Sequence, residues 1–479
     1  MSDTLKYYIN AAIVVAIMAL FRFIPAPDPI TPLGMTVLGI FIGCIYGWCT
    51  CSMIWPSILG IIFFAFTGVM TPLGAWSFFM SQPAIVIGLW LMIACGLLVN
   101  SGVANYLANW SVTRKFTEGK PWLFISIIYW ADILVAAIIG SVGAVLIFWA
   151  LIYGICKQVG WEKGEKTPAW MVFSIVIFAI TGCFLFPFQM VVITNFGFLA
   201  AGSGGAFDGT FNYLAYMTFA FINQILIFTV FMLASKYIFR IDLNKLKNYK
   251  ADVELPELTK KQKTGLVLFI ALFVLLMLPC ILPKGTLLYG LIMKLDTVGI
   301  CFLITMLACF VRVDGKPFVT FGDLVTVNVK WEVILMFGTA LTLASVVNSD
   351  ASGIILWIKE LLGPMLTNLS PLAYVAVLML VAMVLTNLIN NVVVSAILMP
   401  ISWTFSTALG VNPIAIAALF TAFVDYAIIL PSSSPVGALL YSNEEWIKPK
   451  TIMLYGAVSF ALFYIVSVFI GWPLVDMLF

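Results

Sequence analysis

The sequence predicts an all-α polytopic membrane protein with about eleven transmembrane helices plus two re-entrant helical hairpins. Of the 479 residues, 63% are hydrophobic and 9% are charged, and the mean hydropathy is +1.11. A soluble domain is ~45–50% apolar and ~25% charged, so a water-soluble fold could not bury this much apolar surface. The apolar runs are continuous, which excludes an outer-membrane barrel because its strands alternate apolar and polar residues. Each run is long enough for a helix that crosses a bilayer, which takes about 20 residues.

The order of apolar runs predicts which segments cross the membrane. Two long apolar segments, 121–158 and 364–410, are interpreted as hairpins that enter the membrane and return. The eleven predicted crossings lie at residues 7–24, 33–48, 51–69, 82–112, 169–203, 211–239, 264–282, 290–311, 331–362, 412–445 and 451–475.

The distribution of basic residues predicts the orientation. With a cytoplasmic amino terminus and two hairpins that do not cross, most of the 24 Lys and Arg residues fall in cytoplasmic loops. This bias is the one that the positive-inside rule demands. We therefore expect an integral membrane protein of a bacterial cytoplasmic membrane, with its carboxyl terminus outside. Its formal charge of +3 is too small to indicate a nucleic-acid partner, and membrane lipid is the expected environment.

A weak internal repeat divides the chain. We expect an N-terminal span at 1–32, a first repeat at 33–239, a cytoplasmic linker at 240–263 and a second repeat at 264–479. The tripeptide VNS occurs once in each repeat, and a hairpin and an interrupted span follow it each time. The interrupted spans are 169–203 and 412–445. By the predicted topology the two repeats have opposite orientations, an arrangement that places a binding site where broken helices meet at the bilayer midplane.

Four polar or helix-breaking stretches lie at membrane depth. They are IGSVG (139–143), TNFG (194–197), TNLINN (386–391) and PSSSPVG (431–437). Non-helical backbone inside a membrane must be buried in protein or line a water-filled cavity. A helix start exposes N–H groups that attract anions, and the carbonyl, Asn and Ser oxygens suit a monovalent cation. The alternative is that the polar residues only join neighbouring helices and the glycines only allow close packing.

Two acidic residues lie inside predicted spans, where carboxylates are rare and often functional. Asp425 precedes PSSSPVG and could complete a sodium site, carry a proton or pair with a neighbouring amide. Asp132 precedes the first hairpin tip, and a structural role is favoured for it. The chain contains no histidine, and its nine cysteines show no CxxC pattern. These residues offer no metal cluster or nucleophile–base arrangement, so an enzyme is not expected.

Two stretches of the second half carry a resemblance to a known family. TNLINNVVVSAILMPI (386–401) and AIILPSSSPVGALLYS (427–442) resemble the second-half signature of the divalent-anion:sodium symporters, the dicarboxylate transporter family of the ion-transporter superfamily. The resemblance implies an inverted-repeat, elevator-type transporter, usually a homodimer. It also implies that hairpin tips hold substrate carboxylates and that tips and broken-helix turns form two sodium sites.

The departures from the family signature indicate a divergent member of the dicarboxylate transporter family. The family's Ser-Asn-Thr tip falls on Asn390, Asn391 and Val392, and of the hairpin-tip positions only Asn391 keeps its family identity. The first tip has Gly140 where the family has its amide. The asparagine pair also resembles the arsenite-extruding and sodium/proton-exchanging branches of the superfamily.

The sequence thus predicts a secondary active transporter of a small organic anion, a di- or tricarboxylate, with Na⁺ as coupling ion and no other cofactor. The alternative is an organic-anion exchanger or a cation/proton antiporter on the same scaffold, with H⁺ as the coupling ion. The predicted substrate-binding residues are Gly140, Ser141, Thr194, Asn195, Asn387, Asn390, Asn391, Ser432, Ser433 and Ser434. The predicted sodium-binding residues are Asn391, Ser434, Gly437, Gly197 and Asp425.

Overall fold

The computed structural model describes the whole chain except residues 1–2, 114–116, 208, 210, 250–254, 256, 284, 367–368 and 432. The described residues of the first half form helices α1 (Asp3–Leu20), α2 (Pro32–Thr50), α3 (Ile54–Ala65), α4 (Pro72–Ser81), α5 (Pro83–Ser101), α6 (Val103–Val112), α7 (Pro121–Ile139), α8 (Ser141–Gln158), α9 (Lys166–Gly182), α10 (Met190–Gly202) and α11 (Tyr213–Tyr237).

The second half is also helical, with one short strand pair. A small antiparallel pair, β1 (Arg312–Val313) and β2 (Lys316–Pro317), stands between its second and third helices. Its helices are α12 (Lys260–Ile281), α13 (Leu287–Phe310), α14 (Phe321–Asn328), α15 (Trp331–Val347), α16 (Ile354–Leu366), α17 (Pro371–Leu388), α18 (Asn391–Ala408), α19 (Pro413–Val424), α20 (Pro435–Ser442), α21 (Pro449–Val466) and α22 (Trp472–Leu478).

The predicted all-α polytopic membrane fold is confirmed. Among the described residues, eleven helices are long and apolar enough to cross a membrane, and α14 and α15 together form a further candidate bent by 68°. The eleven long helices include the four hairpin helices α7, α8, α17 and α18. At ~1.5 Å per residue, these four are each close to the thickness of the bilayer core.

Four predicted spans are not continuous helices, and one of them, 290–311, is broken at Asp296, which has a φ of 52°. The segment 51–69 contains only the twelve residues of α3, and 82–112 divides into α5 and α6. Gly102 divides α5 from α6 because it adopts a φ of +77°, a left-handed conformation that glycine reaches without a steric penalty. In 331–362, a short 3₁₀ turn separates α15 from α16.

Local sequence explains where several helices begin. Thr31, Thr71 and Ser370 each accept a hydrogen bond from an N–H group of the first turn, and proline follows each of them. A hydroxyl side chain at the cap satisfies one exposed N–H group, and proline suits the first helical position because its missing N–H would have had no partner there. Such starts terminate the preceding loop at a defined residue.

The hairpins pack against the interrupted helices. The α7–α8 hairpin lies along α9, whereas α10 lies along α18 of the other hairpin. Glycines permit the closest approaches: a Cβ on Gly202 would lie 2.4 Å from the Cα of Pro400, and one on Gly182 would lie 2.5 Å from the carbonyl oxygen of Ile133. The hairpins and interrupted helices of both halves therefore form one contiguous packed region.

Candidate functional site

Four helix N-termini meet at one cavity of about 310 Å³. The cavity is lined by first-turn or capping residues of α8, α10, α15 and α18, and α5 forms another part of its wall. An N-terminus presents unpaired N–H groups and the positive end of the helix dipole. Several such ends around one cavity create a favourable site for an anion without requiring many charged side chains.

The first hairpin tip forms one side of the cavity. Gly140 separates α7 from α8 with a φ of +84° and a ψ of 163°, and Ser141 begins α8 beside it. Both residues line the cavity. The start of α8 has no side-chain cap hydrogen bond. The Gln189 side-chain amide donates a hydrogen bond to the carbonyl of Ala137 and braces the turn.

The start of α10 supplies two buried polar side chains to the same cavity. Thr194 and Asn195 line it and are 2% and 0% exposed. The Asn195 amide donates to the hydroxyl of Thr421 on α19 at 3.0 Å, which joins the two interrupted spans. The Thr194 hydroxyl and the Asn195 side-chain oxygen have no hydrogen-bond partner in the described part of the chain. Buried polar atoms are normally satisfied, so these two oxygens indicate a bound water, ion or solute.

The second hairpin tip brings an acid into the site. Asn391 begins α18, and its side-chain amide donates to a carboxylate oxygen of Asp425 at 2.8 Å. Both residues line the cavity. Asn391 also accepts a hydrogen bond from the N–H of Val392 at 2.9 Å, which fixes its orientation. The carboxylate therefore faces the cavity beside a neutral amide.

Several predicted site residues lie outside the cavity lining. Asn387 is 5% exposed and uses both ends of its side chain for backbone groups: it donates to the carbonyls of Met383 and Tyr426 and accepts from the N–H groups of Ile428 and Ile429. It therefore holds the α19–α20 break against α17. Asn390 caps α18 by accepting from the Val392 N–H at 2.9 Å.

The PSSSPVG stretch likewise satisfies itself. The Ser433 hydroxyl donates to the carbonyl of Leu430 at 2.6 Å, and Ser434 donates to Ala427 while accepting from the N–H of Gly437 at 3.0 Å. Ser432 lies outside the described residues. These bonds stabilise the break and begin α20, and neither serine nor Gly437 lines the cavity.

Gly197 is a close-packing position beside a second cavity. A Cβ there would lie 2.7 Å from Ala84 Cβ and 2.8 Å from a ring carbon of Phe337. Gly197 lines a second cavity of about 930 Å³, formed by the later part of α10 with parts of α5 and α15. Leu91 borders both cavities, so α5 and α10 stand between them.

Asp132 lies away from the site. It is 0% exposed in α7, eight residues before Gly140, and neither carboxylate oxygen has a partner in the described chain. The structural role favoured for this residue therefore has no hydrogen bond to support it among the described residues.

Besides Ser395 of α18, sequence reasoning missed three polar residues of the cavity, Gln189, Asn328 and Lys330. Gln189 precedes α10, and the other two lie at the bend between α14 and α15. Lys330 was interpreted as a cytoplasmic loop residue. A signal was present, because the TVNVK stretch (326–330) brings polar residues into an otherwise apolar region just before a long span.

An all-helical membrane fold whose interrupted helices enclose a polar cavity defines a secondary transporter. The sequence model of the family described as CitMHS, citrate transporter, matches residues 37–421. The chain belongs to this family of the ion-transporter superfamily, and the superfamily resemblance inferred from the motifs is confirmed. The chain is a transporter and not an enzyme.

Curated relatives match over shorter stretches. An uncharacterised transporter of Methanocaldococcus jannaschii is 28% identical over 163 residues, which is 34% of each chain. The sodium-dependent dicarboxylate transporter SdcS of Staphylococcus saprophyticus is 27% identical over 118 residues, 25% of this chain and 22% of that one. Human solute carrier family 13 member 4 is 27% identical over 128 residues, which is 26% of this chain and 20% of that one. The matches thus cover about a third or less of each relative's length.

A solved structure has a similar fold over nearly the whole chain. The crystal structure of the Alcanivorax borkumensis YdaH transporter covers 98% of this chain and 99% of its own, with a TM-score of 0.53 and 18% sequence identity. At that identity the similarity supports the fold alone.

Proposed function

We propose that the chain transports a small organic anion, a di- or tricarboxylate, by sodium symport. The observation that carries this proposal is the meeting of four helix N-termini at one cavity of about 310 Å³. Ligand pockets span about 300–1,000 Å³, so this one suits a small solute. The citrate-transporter family match and the sodium-dependent dicarboxylate relative point to the same substrate class.

A cation would balance the charges of this site. Asp425 places a carboxylate in the cavity, where an anionic substrate would be repelled by it. Sodium bound between the two would remove the repulsion, since hard monovalent cations take oxygen ligands. The Asp425 carboxylate and the unpartnered oxygens of Thr194 and Asn195 are the donors we propose for it.

The mechanism we propose is of the elevator type. The two hairpins and the interrupted helices of the two halves, α7–α10 and α17–α20, would move together as the transport domain, because they pack on one another through close glycine contacts.

The proposal includes inverted repeats at 33–239 and 264–479, a homodimer, a cytoplasmic amino terminus and an outside carboxyl terminus. Light scattering of the purified protein and labelling of single cysteines at the termini would test the dimer and the orientation.

The central test is uptake of radiolabelled succinate and citrate into proteoliposomes under a sodium gradient. We expect uptake by the wild type to require sodium and Asn391→Ala to abolish it, because the variant removes the amide that positions Asp425. Asn100→Ala is the matched control: its side chain donates to the carbonyl of Gly96 within α5. Equal uptake without sodium would overturn the symport, and near-normal uptake by Asn391→Ala would place the site elsewhere.

Proton coupling is the second candidate, and the pairing of Asp425 with a neutral amide favours it. Without a basic partner the carboxylate could exchange a proton as well as bind sodium. Asp425→Asn keeps an oxygen that can accept from Asn391 and removes the charge. Under proton coupling, the pH dependence of uptake in the wild type should disappear in this variant. Under sodium coupling, the variant should instead lose its sodium dependence, and a variant that retains both would exclude Asp425 from coupling.

A further inference from the structure

Lys330 adds a positive charge to the lining of the cavity that also contains the Asp425 carboxylate. Among the described lining residues, Asp425 is the acid and Lys330 is the base. Lys330 stands at the start of α15, immediately after the 68° bend between α14 and α15. It is therefore carried by a different element from the two hairpin tips.

A tight contact with α5 seats the bend beside the cavity. A Cβ on Gly96 of α5 would lie 2.2 Å from the side-chain nitrogen of Asn328, so only glycine allows this approach. The same nitrogen donates to the carbonyl of Leu324 at 2.8 Å, which fixes the side chain at the end of α14. Gly96, Asn328 and Lys330 all line the cavity. Packing at Asn328 thus places the bend, and with it the exposed Lys330 two residues later, beside the cavity.

Among the described residues, Lys330 forms no ion pair. The three salt bridges of the described residues involve other lysines, and the carboxylate of Asp425 accepts from Asn391. An ammonium group on a cavity wall that has no ion-pair partner can bind an anionic group. The unpartnered, buried oxygens of Thr194 and Asn195 in the same cavity are an independent indication that a ligand occupies it.

We infer that Lys330 binds a second carboxylate of the substrate, while the hairpin tips bind the first. The inference rests on the proposed function and specifies it: the transporter would select anions with at least two carboxylates. One carboxylate would lie at the N-termini of α8 and α18, and the other would reach across the cavity to the ammonium group at the start of α15. A monocarboxylate would leave Lys330 without a partner.

The test compares succinate with its monoamide, succinamate, in proteoliposomes of wild type, Lys330→Gln and Lys330→Arg. In the wild type we expect KM for succinate to be at least about tenfold lower than for succinamate, the difference expected for one charge-assisted hydrogen bond. In Lys330→Gln the two KM values should converge through a rise for succinate, with Vmax retained. Lys330→Arg should keep the preference. Lys316→Gln is the matched control, since Lys316 is exposed in β2 and outside the cavity lining.

The outcomes separate this inference from the proposed function. Uptake of succinate by the wild type, with an unchanged preference in Lys330→Gln, would overturn the role of Lys330 alone. No uptake of any carboxylate by the wild type would overturn the proposed function and the inference with it. Thermal stabilisation of the detergent-solubilised proteins by succinate gives a second measurement that does not require turnover, and the same loss of preference is expected there in Lys330→Gln.

Discussion

Gly140 offers a direct test of whether the first hairpin tip is a preorganised part of the binding site. Its φ of +84° and ψ of 163° lie in a region that is essentially restricted to glycine. A Cβ at this position would meet no heavy atom within 4 Å. The substitution Gly140→Ala therefore introduces backbone strain without a steric clash, and any effect on transport reports on the conformation of the turn.

The magnitude follows from the backbone geometry. Placing a residue with a Cβ in such a conformation costs about 1–3 kcal/mol. If the tip relaxes to relieve the strain, the fraction of molecules with the binding conformation falls by about 5–150-fold, and the apparent affinity falls by the same factor. We expect KM for the transported anion to rise within this range.

Gly154 provides the matched control in the same hairpin. It lies inside α8 with an ordinary φ, and a Cβ there would also meet no heavy atom within 4 Å. Gly154→Ala should stabilise the helix by about 0.5–1 kcal/mol and leave KM unchanged. The assay is uptake kinetics in proteoliposomes, with thermal unfolding in detergent as the measure of stability. A KM for Gly140→Ala within twofold of the wild type would refute the reasoning, because it would show that the tip conformation is not needed for binding.

Two further perturbations test the sodium donors and a surface ion pair. Thr194→Val replaces a buried, unpartnered hydroxyl by a methyl group of similar size. We expect unchanged or greater thermal stability and a rise of about tenfold in the sodium concentration for half-maximal uptake. An unchanged sodium dependence would exclude Thr194 as a donor. Lys163 donates a hydrogen bond to exposed Glu445 and lowers the pKa of that carboxyl, so the pair contributes stability above the ordinary pKa of the carboxyl and loses it as the pH falls through the lowered pKa. Glu445→Gln should therefore reduce thermal stability only slightly at neutral pH, and its unfolding temperature should converge with that of the wild type in acid; a difference that grows in acid would contradict this sign.

The hairpins were accessible to sequence reasoning because their signals are local. The first hairpin was predicted at 121–158, and α7 and α8 occupy Pro121–Gln158 with the break at Gly140. A long apolar run with a glycine at its centre is sufficient for this prediction, since glycine alone reaches the required φ readily. The second hairpin was predicted from residue 364, but α17 begins only at Pro371, where a serine cap and a proline start the helix.

The PSSSPVG stretch shows where local reasoning fails. Its serines were predicted to bind substrate because they lie in a helix-breaking stretch at membrane depth. Hydroxyls are costly to bury without a partner, but Ser433 and Ser434 donate to the carbonyls of Leu430 and Ala427, which precede the stretch. Asn387 does the same with the α19–α20 break. A polar side chain at membrane depth can thus either bind a substrate or bond to nearby backbone groups, and the sequence does not distinguish these two roles.

The sequence by itself determined the membrane environment, the helical class, the polar interruptions and the resemblance to sodium-coupled anion transporters. These properties depend on composition, on the length of apolar runs and on residues adjacent in the chain. Only the tertiary structure decided which polar groups share a cavity: it brought Asp425 to Asn391 and Thr194 to the first tip, and it placed Lys330 in the same cavity. The physical reason is that these neighbours are held together by packing between distant helices, as at Gly96 against Asn328, and such contacts leave no periodic pattern in the chain.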